Sequence, residues 1–294
     1  MERLKGMLYG AFIGDAFALG THWIYDTEKL KIEASNVERY TDPAKNLFHS
    51  GKHKGNFTHY GDQSLLLLKS IASNKGFDIN IFKTHWLTYM NKYEGYLDHA
   101  SKESLQLLDP VNNFGSSSDE LGGISRIAPL VFYHFDDKDL PRFIKEQTEL
   151  THNHQQLVEF GLFFQEWLLD LIIGKPLVAS LEQHTSEHPS IKPYYDAVRY
   201  RLKEDSVSAI KDIGQSCSSQ FAFPSTLYLI LKNQTDFLKA MQENILSGGD
   251  SAGRGMLIGM ILGASLGISQ LPCHLIDELS EKSVIENFSM HRQI

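Results

Sequence analysis

The sequence contains few cysteines and no run of basic residues. Cys217 and Cys273 are the two cysteines among 294 residues, and neither stands in a Cys-x-x-Cys or Cys/His spacing that binds zinc. This excludes a disulfide framework, and we expect two reduced thiols in the core. The formal net charge of −8 disfavours binding to duplex nucleic acid or to an anionic membrane surface.

Long hydrophobic runs are also missing. The most apolar stretch, Met256–Ile268, is shorter than the roughly 20 residues that a membrane span needs. The first apolar stretch is interrupted by Gly14 and Asp15 and shows no small-residue cleavage site, so we predict no signal peptide. With the low cysteine count, these absences predict a cytoplasmic protein that does not contact a membrane.

Sustained alternation of apolar and polar residues, the pattern of a half-buried strand, is absent as well. Apolar residues instead recur every three or four positions, which predicts an all-α fold. Since no low-complexity linker divides the chain, we expect one domain over residues 1–294. The polar segments Glu33–Asn56 and Asp109–Ser118 are predicted surface loops, the first long enough for a functional role. The predicted helices lie at 4–19, 65–72, 157–173, 207–213, 237–246 and 256–266.

Two of the predicted helices carry glycines at a spacing of four, which places each set on one helix face. Glycine inside a helix costs up to about 1 kcal/mol relative to alanine, and close approach of a neighbouring backbone is the usual gain that offsets this cost. Unless the spacing is coincidental, these helices lie near the centre of a helical bundle and against each other. The two sets are Gly6, Gly10 and Gly14, and Gly255, Gly259, Gly263 and Gly267.

Three Gly-Asp pairs stand beside these helical runs and end in Asp15, Asp62 and Asp250. Asp62 and Asp250 stand where helices begin, so each could be a helix N-cap worth about 1 kcal/mol. Asp15 lies on an apolar helix face and needs a partner there, which could be a backbone amide, a basic side chain or a cation. Alternatively, the three carboxylates converge on a pocket for Mg²⁺ and a phosphorylated ligand.

Six motifs follow one another between about residues 5 and 267. They resemble, in content and order, motifs of the ADP-ribosylglycohydrolase family, especially the branch that includes the jellyfish J1 crystallins. The resemblance implies a compact orthogonal helical bundle, a cleft with two Mg²⁺ ions, and cleavage of the bond between ADP-ribose and a modified side chain. The motifs are Gly10–Ala16, Thr21–Asp26, Gly55–Ser64, Ser125–Leu130, Leu150–Asn153 and Gly248–Gly255.

The sequence departs from both metal motifs of that family. Gly61 and Asp62 stand where the first motif has two aspartates, and Ala252 stands at the second aspartate of the second motif. Each motif therefore keeps one of two carboxylates. We expect Asp62 and Asp250 to be the catalytic residues, to lie close enough to share a ligand, and to hold one Mg²⁺ ion at most.

The resemblance also implies a set of substrate-binding residues. Gly122 and Gly123, with Ser125, could form a loop whose amides approach a phosphate, or an ordinary turn before a helix. The full predicted set is Asp15, His22, Tyr25, His59, Gly122, Gly123, Ser125, His152 and Ser251.

Two functions remain open at this point. The first is a hydrolase of an ADP-ribosyl or related ribosyl bond with a reduced metal site, acting on small-molecule or protein-linked ADP-ribose. The second is a non-catalytic ADP-ribose-binding or nucleotide-binding protein, or a crystallin-like structural protein, that kept the fold. The polar residues retained around the predicted pocket favour the hydrolase.

Overall fold

A computed structural model describes residues 1–43 and 48–290, and its regular structure is helical. Two isolated bridges, Ser116 with His152 and Glu120 with Ser218, are the β-type pairings within these ranges. The all-α prediction is confirmed. The α-helices are α1 (Glu2–Ala18), α2 (Thr27–Ala34), α3 (His59–Asn74), α4 (Ile79–Met90), α5 (His99–Leu107), α6 (Gly122–Ser125), α7 (Ala128–His134), α8 (Leu140–Glu149), α9 (Gln155–Ile172), α10 (Leu177–Glu187), α11 (Lys192–Arg199), α12 (Ser206–Ile213), α13 (Ser219–Lys232), α14 (Phe237–Leu246), α15 (Ser251–Leu266), α16 (Cys273–Asp277) and α17 (Lys282–Met290), with a 3₁₀ turn at Ile268–Gln270.

Helices α1 and α15 pack against each other through their glycines, as predicted. A Cβ atom on Gly10 would lie 2.0 Å from the carbonyl oxygen of Gly259, and one on Gly14 would lie 2.0 Å from that of Gly255. Gly6 meets Gly263 in the same way, so the two helices run antiparallel with their backbones in contact. This arrangement brings the C-terminal end of α1 beside the first turn of α15.

The described residues between α2 and α3 are irregular, as predicted, but some of them are buried. Helix α2 extends to Ala34, one residue past the predicted start of the loop. The side chains of Tyr40 and His49 are 4% and 2% exposed, so they belong to the interior. The prediction of a purely surface loop is wrong here, because contacts distant in sequence bury these residues.

Both cysteines are free, as predicted, but neither is a core thiol. Cys273 is exposed at the start of α16, and Cys217 is half-buried with its Sγ 3.3 Å from Oε1 of Glu120. Among the described residues, no helix is long and apolar enough to cross a membrane.

Candidate functional site

A glycine turn before α15 places Asp250 beside the end of α1. Asp250 is the N-cap of α15 and accepts a hydrogen bond from the Gly253 amide at 3.1 Å, which confirms the N-cap interpretation for this residue. Gly249 has φ +70° and exchanges amide hydrogen bonds with the chain just after α1, including one to the Ile24 carbonyl. A Cβ atom there would lie 1.9 Å from the Gln215 carbonyl oxygen, so the turn requires glycine.

A chain of two histidines ends on Asp250. The Nε2 atom of His49 lies 2.8 Å from Nδ1 of His22, whose Nε2 lies 3.0 Å from Oδ1 of Asp250. His22 and Asp250 are fully buried and His49 nearly so. Burial lowers the pKa of His22 and lowers that of His49 to about 2. Both rings are therefore neutral, and each donates its Nε2–H to the next member of the chain.

The surroundings of Asp250 keep it ionised. Burial alone would raise the pKa of this carboxyl, but the hydrogen bond from His22, the Gly253 amide and the nearby charge of Arg254 hold it below the ordinary value. Arg254 is itself buried and donates hydrogen bonds to the Asn244 side chain and to the Gly248 carbonyl. It thus fixes the glycine turn and supplies positive charge close to Asp250.

A second histidine–aspartate pair lies nearby. The Nε2 atom of His59, the first residue of α3, is 3.1 Å from Oδ2 of Asp98, the N-cap of α5. Burial acts to raise the pKa of Asp98, but the charge and hydrogen bond of His59 hold it well below its usual range. Trp23 stacks on His22 with ring centroids 4.1 Å apart and meets Tyr96 edge-on. These aromatic rings form one wall around the histidines.

Glu120 completes a carboxylate cluster that we define as Asp98, Glu120 and Asp250. Burial raises the pKa of Glu120, and the charges of Asp98 and Asp250 raise it further. The pKa of Glu120 is therefore raised while that of Asp250 is lowered, although the two carboxyls lie in one cluster. Such a pair is typical of a site with one proton donor and one carboxylate that stays ionised. The hydroxyl of Tyr60, fully buried in α3, also lies within the field of this cluster.

Several buried polar atoms around the cluster have no hydrogen-bond partner among the described residues. Native proteins leave few such atoms unpaired, and groups of them occur at ligand sites. Their grouping around Asp250 therefore indicates a polar binding pocket. The atoms are Oδ2 of Asp250, Oε2 of Glu120, Oη of Tyr60, Nδ1 of His59 and Oγ of Ser251.

Gly122 and Gly123 make room for side chains of this pocket. A Cβ atom on Gly122 would lie 2.2 Å from the Tyr60 ring, and one on Gly123 would lie 2.7 Å from the His152 ring. Ser125 donates to the Gly253 carbonyl at 2.9 Å, which ties α6 to α15. Both glycines lie within the short helix α6, not in a turn before it, and their contacts there are packing contacts. Substrate binding by these residues stays a prediction.

The other predicted substrate-binding residues occupy different depths. His152 is buried, with Nδ1 2.9 Å from the Thr151 hydroxyl and Nε2 unpaired among the described residues. Burial, with the charge of Arg126, lowers the pKa of His152 to about 3, so the ring is neutral. Tyr25 is 49% exposed and lies at the rim, where burial of its inner part raises its pKa and the charge of Asp250 reaches it.

Asp15 has a structural partner. Its two carboxylate oxygens accept hydrogen bonds from the amide and the hydroxyl of Thr58, at 2.7 and 2.5 Å. Burial raises the pKa of Asp15 to about 7, although these hydrogen bonds act to lower it. Of the three partners expected from the sequence, the backbone amide is present, and the N-terminus of α3 is fastened to α1.

Asp62 contacts a different set of residues from those around Asp250. It is in the first turn of α3, whose N-cap is Thr58, so the N-cap interpretation of Asp62 is wrong because the helix begins three residues earlier. Its Oδ2 accepts hydrogen bonds from Lys52 and Tyr93. It also borders a cavity of about 890 Å³ that opens between α3 and α4. Asp62 and Asp250 share no hydrogen-bond partner among the described residues, and a shared ligand stays a prediction.

The residues do not fit the divalent-metal site that the sequence suggested. One oxygen of Asp62 is held by an ammonium group, and one oxygen of Asp250 by His22. In the described ranges, no three His, Cys, Asp or Glu side chains are grouped in a way that could hold a metal ion. A hard cation such as Mg²⁺ takes several oxygen ligands. Of the two motif aspartates, Asp62 has Oδ2 bound by Lys52 and Tyr93, and Asp250 offers a single free oxygen, Oδ2.

Several residues of the site were not found from the sequence. Asp98 has the appearance of an ordinary N-cap, and Tyr60 that of a core residue, so neither carries a signal of its own. Glu120 directly precedes the predicted glycine turn, and His49 and Lys52 lie in the long irregular loop. The length of that loop was the one available signal for the last two.

Comparisons with known proteins agree with this architecture. The ADP-ribosylglycohydrolase family model matches residues 1–293. Crystallin J1A of Tripedalia cystophora is 22% identical over 98% of this chain and 95% of its own length, and crystallin J1B of the same organism is 22% identical over 97% and 94%. A solved structure described as an ADP-ribosylglycohydrolase-related protein complex superposes with a TM-score of 0.71 at 20% identity, covering 99% of this chain and 96% of that one. With a family match over almost the whole length and a fold that agrees, this chain is a member of the ADP-ribosylglycohydrolase family.

Proposed function

We propose that this chain hydrolyses an ADP-ribosyl or related ribosyl glycosidic bond at the pocket around Asp250. The observation that carries the proposal is the group of buried, unpaired polar atoms there, with free oxygens on both Asp250 and Glu120. A ribose, which presents hydroxyls on every side, suits such a set of donors and acceptors. The substrate is small-molecule or protein-linked ADP-ribose, in keeping with the family.

The two carboxylates take different roles in the proposed reaction. Glu120, whose pKa is raised, donates its proton to the leaving group while the bond at the anomeric carbon breaks. Asp250, whose pKa is lowered, remains negative and stabilises the positive charge that develops on the ribose. Water then adds to the anomeric carbon, and the proton that the water loses restores the acid form of Glu120.

The histidines position Asp250 in this proposal. The hydrogen bond from His22 occupies Oδ1, which leaves Oδ2 for the substrate and the attacking water. In this scheme Asp62, predicted as a second catalytic residue, takes a positioning role through its ion pair with Lys52. We carry no magnesium ion into this scheme, because Asp62 is paired with Lys52 and the free oxygen of Asp250 is assigned to the substrate and the water.

The test is release of ADP-ribose from modified arginine and serine peptides. We expect Asp250→Asn and Glu120→Gln to lower kcat/KM by about 10²- to 10⁴-fold. A substrate with an activated leaving group should rescue Glu120→Gln but not Asp250→Asn, since such a group needs no proton. Asp236→Asn is the matched control, because Asp236 caps α14 by a hydrogen bond from the Lys239 amide outside the pocket. Full activity in both pocket variants would refute the roles.

A non-catalytic protein that kept the fold is the second candidate. It is favoured by the Gly61 and Ala252 positions and by the similarity to two proteins named crystallins. Calorimetry with ADP-ribose separates the candidates. Binding without turnover would favour this second role. An absence of binding by the wild type would show that the pocket is not an ADP-ribose site under either candidate function.

A further inference from the structure

Lys52 forms an ion pair with Asp62. Its Nζ contacts Oδ2 of Asp62, and the side chains are 21% and 13% exposed, so the ion pair is largely shielded from water. The Tyr93 hydroxyl donates to the same oxygen. Asp62 is thereby neutralised by a cation that belongs to the chain.

The side chains packed against Gly61 prevent a second carboxylate from joining Asp62. A Cβ atom on Gly61 would lie 2.4 Å from Oδ2 of Asp15 and 2.8 Å from the Cβ of Phe57. Asp15 cannot easily move aside, because Thr58 binds both of its oxygens. An aspartate at position 61, as in the family motif, therefore conflicts with the packing of this chain. Gly61 and Lys52 are consistent with each other. With glycine at position 61 the motif carries one negative charge, on Asp62, and the single positive charge of Lys52 balances it.

The loop that carries Lys52 also reaches Asp250. Three residues before Lys52, His49 donates to His22 and so reaches the second aspartate. Gly51, at φ +87°, makes the turn between these two contacts. Residues 48–52 thus contact both motif aspartates. Lys52 binds Asp62 directly, and His49 reaches Asp250 through His22.

We infer that the ammonium group of Lys52 replaces a divalent cation at Asp62, and that this protein acts without a metal ion at its two motif aspartates. The inference goes beyond the proposed reaction and does not depend on it, because cation binding is measured on the protein alone. It assigns Lys52 as a positioning residue that fixes residues 48–52 to the first turn of α3.

The test is titration of the full chain with Mn²⁺, in which electron paramagnetic resonance measures the concentration of the free ion. We expect no saturable binding by the wild type below about 1 mM, the weak end of protein sites for hard cations. Lys52→Met keeps the length of the side chain but frees the carboxylate, and it should gain saturable Mn²⁺ binding that Lys52→Met/Asp62→Asn loses. Lys54→Met, a substitution of an exposed lysine in the same loop, should behave as the wild type.

Two results would overturn the inference. The first is Mn²⁺ binding by the wild type that Asp62→Asn abolishes, a result that needs no Lys52 variant to fold. The second is a folded Lys52→Met protein, verified by circular dichroism, that gains no Mn²⁺ binding. Thermal unfolding gives a second readout: Mn²⁺ should raise the melting temperature of Lys52→Met and leave that of the wild type unchanged.

Discussion

The imidazole of His22 and the carboxylate of Asp250 lie 3.0 Å apart, and both side chains are fully buried. They are separated by 228 positions in sequence, and they meet because α1 and α15 run antiparallel through their glycine faces. The end of one helix and the beginning of the other therefore share a corner of the bundle. The packing of two glycine helices thus creates the site as well as the core.

Loss of His22 should destabilise the protein strongly. In His22→Phe, Asp250 keeps the Gly253 amide but loses its imidazole donor, and the Nε2–H of His49 loses its acceptor. Removing one partner of a buried charge costs about 3–5 kcal/mol, and we expect a loss of this order in the free energy of unfolding measured with urea. His99→Phe, whose side chain is 78% exposed, should change it by less than about 0.5 kcal/mol. Equal effects of the two substitutions would contradict the importance of the pair.

The buried histidines predict a loss of stability in mild acid. The folded-state pKa of His49 is about 2, whereas an unfolded histidine titrates near 6.5, so its contribution is complete above pH 6.5 and is lost as the pH falls. His22 and His152 act in the same direction, and Asp15, with a raised pKa, acts in the opposite one. We expect His49→Gln to reduce the slope of unfolding free energy against pH by about 1.4 kcal/mol per unit between pH 6 and 4.5.

Urea titrations over this pH range measure the slope. The control is His53→Gln, a histidine substitution at a side chain that is 80% exposed, and we expect it to leave the slope unchanged. A wild-type slope that is unchanged in His49→Gln would mean that His49 is protonated in the folded protein.

Local patterns in the sequence were sufficient for the central fold but not for all of its helices. The predicted helix at 237–246 matches α14, and the predicted pair of glycine helices is in contact. Between residues 79 and 149 the sequence analysis predicted no helix, although five are present. These are short and held by packing against neighbours, which a local pattern does not record. The single domain stays a prediction, which one cooperative calorimetric transition would support.

The site itself was only partly accessible from the sequence. Asp250 and His22 could be named because they lie in recognisable motifs. His49, Lys52 and Glu120 could not, because their roles depend on contacts between segments far apart in sequence. The polar composition of the loop before α3 indicated exposure, whereas the bundle buries His49 against His22. Contacts of this kind follow from the three-dimensional packing and have no periodic signature.

The close contact between α1 and α15 predicts a high cost for the smallest substitution there. In Gly259→Ala the new Cβ would lie 1.9 Å from the Gly10 carbonyl oxygen, which is backbone and cannot move aside. We expect a loss of about 3 kcal/mol or more in the free energy of unfolding, the upper range for overpacking. Gly161→Ala is the matched control in α9, since its Cβ would meet the Ile124 side chain at 3.0 Å. It should change the stability by less than about 1 kcal/mol, because higher helix propensity offsets a small shift.

The Tyr60 hydroxyl should reduce stability and contribute to binding. It is buried without a hydrogen-bond partner among the described residues, and an unpaired buried hydroxyl costs about 1–3 kcal/mol. Tyr60→Phe should therefore raise the free energy of unfolding by about 1 kcal/mol while it weakens ADP-ribose binding in calorimetry. Tyr40→Phe is the control, because the buried Tyr40 hydroxyl donates to the Leu275 carbonyl at 2.7 Å; it should lower the stability and leave binding unchanged. If Tyr60→Phe instead lost stability and bound ADP-ribose as the wild type does, the hydroxyl would be structural, and the pocket would have to be assigned without it.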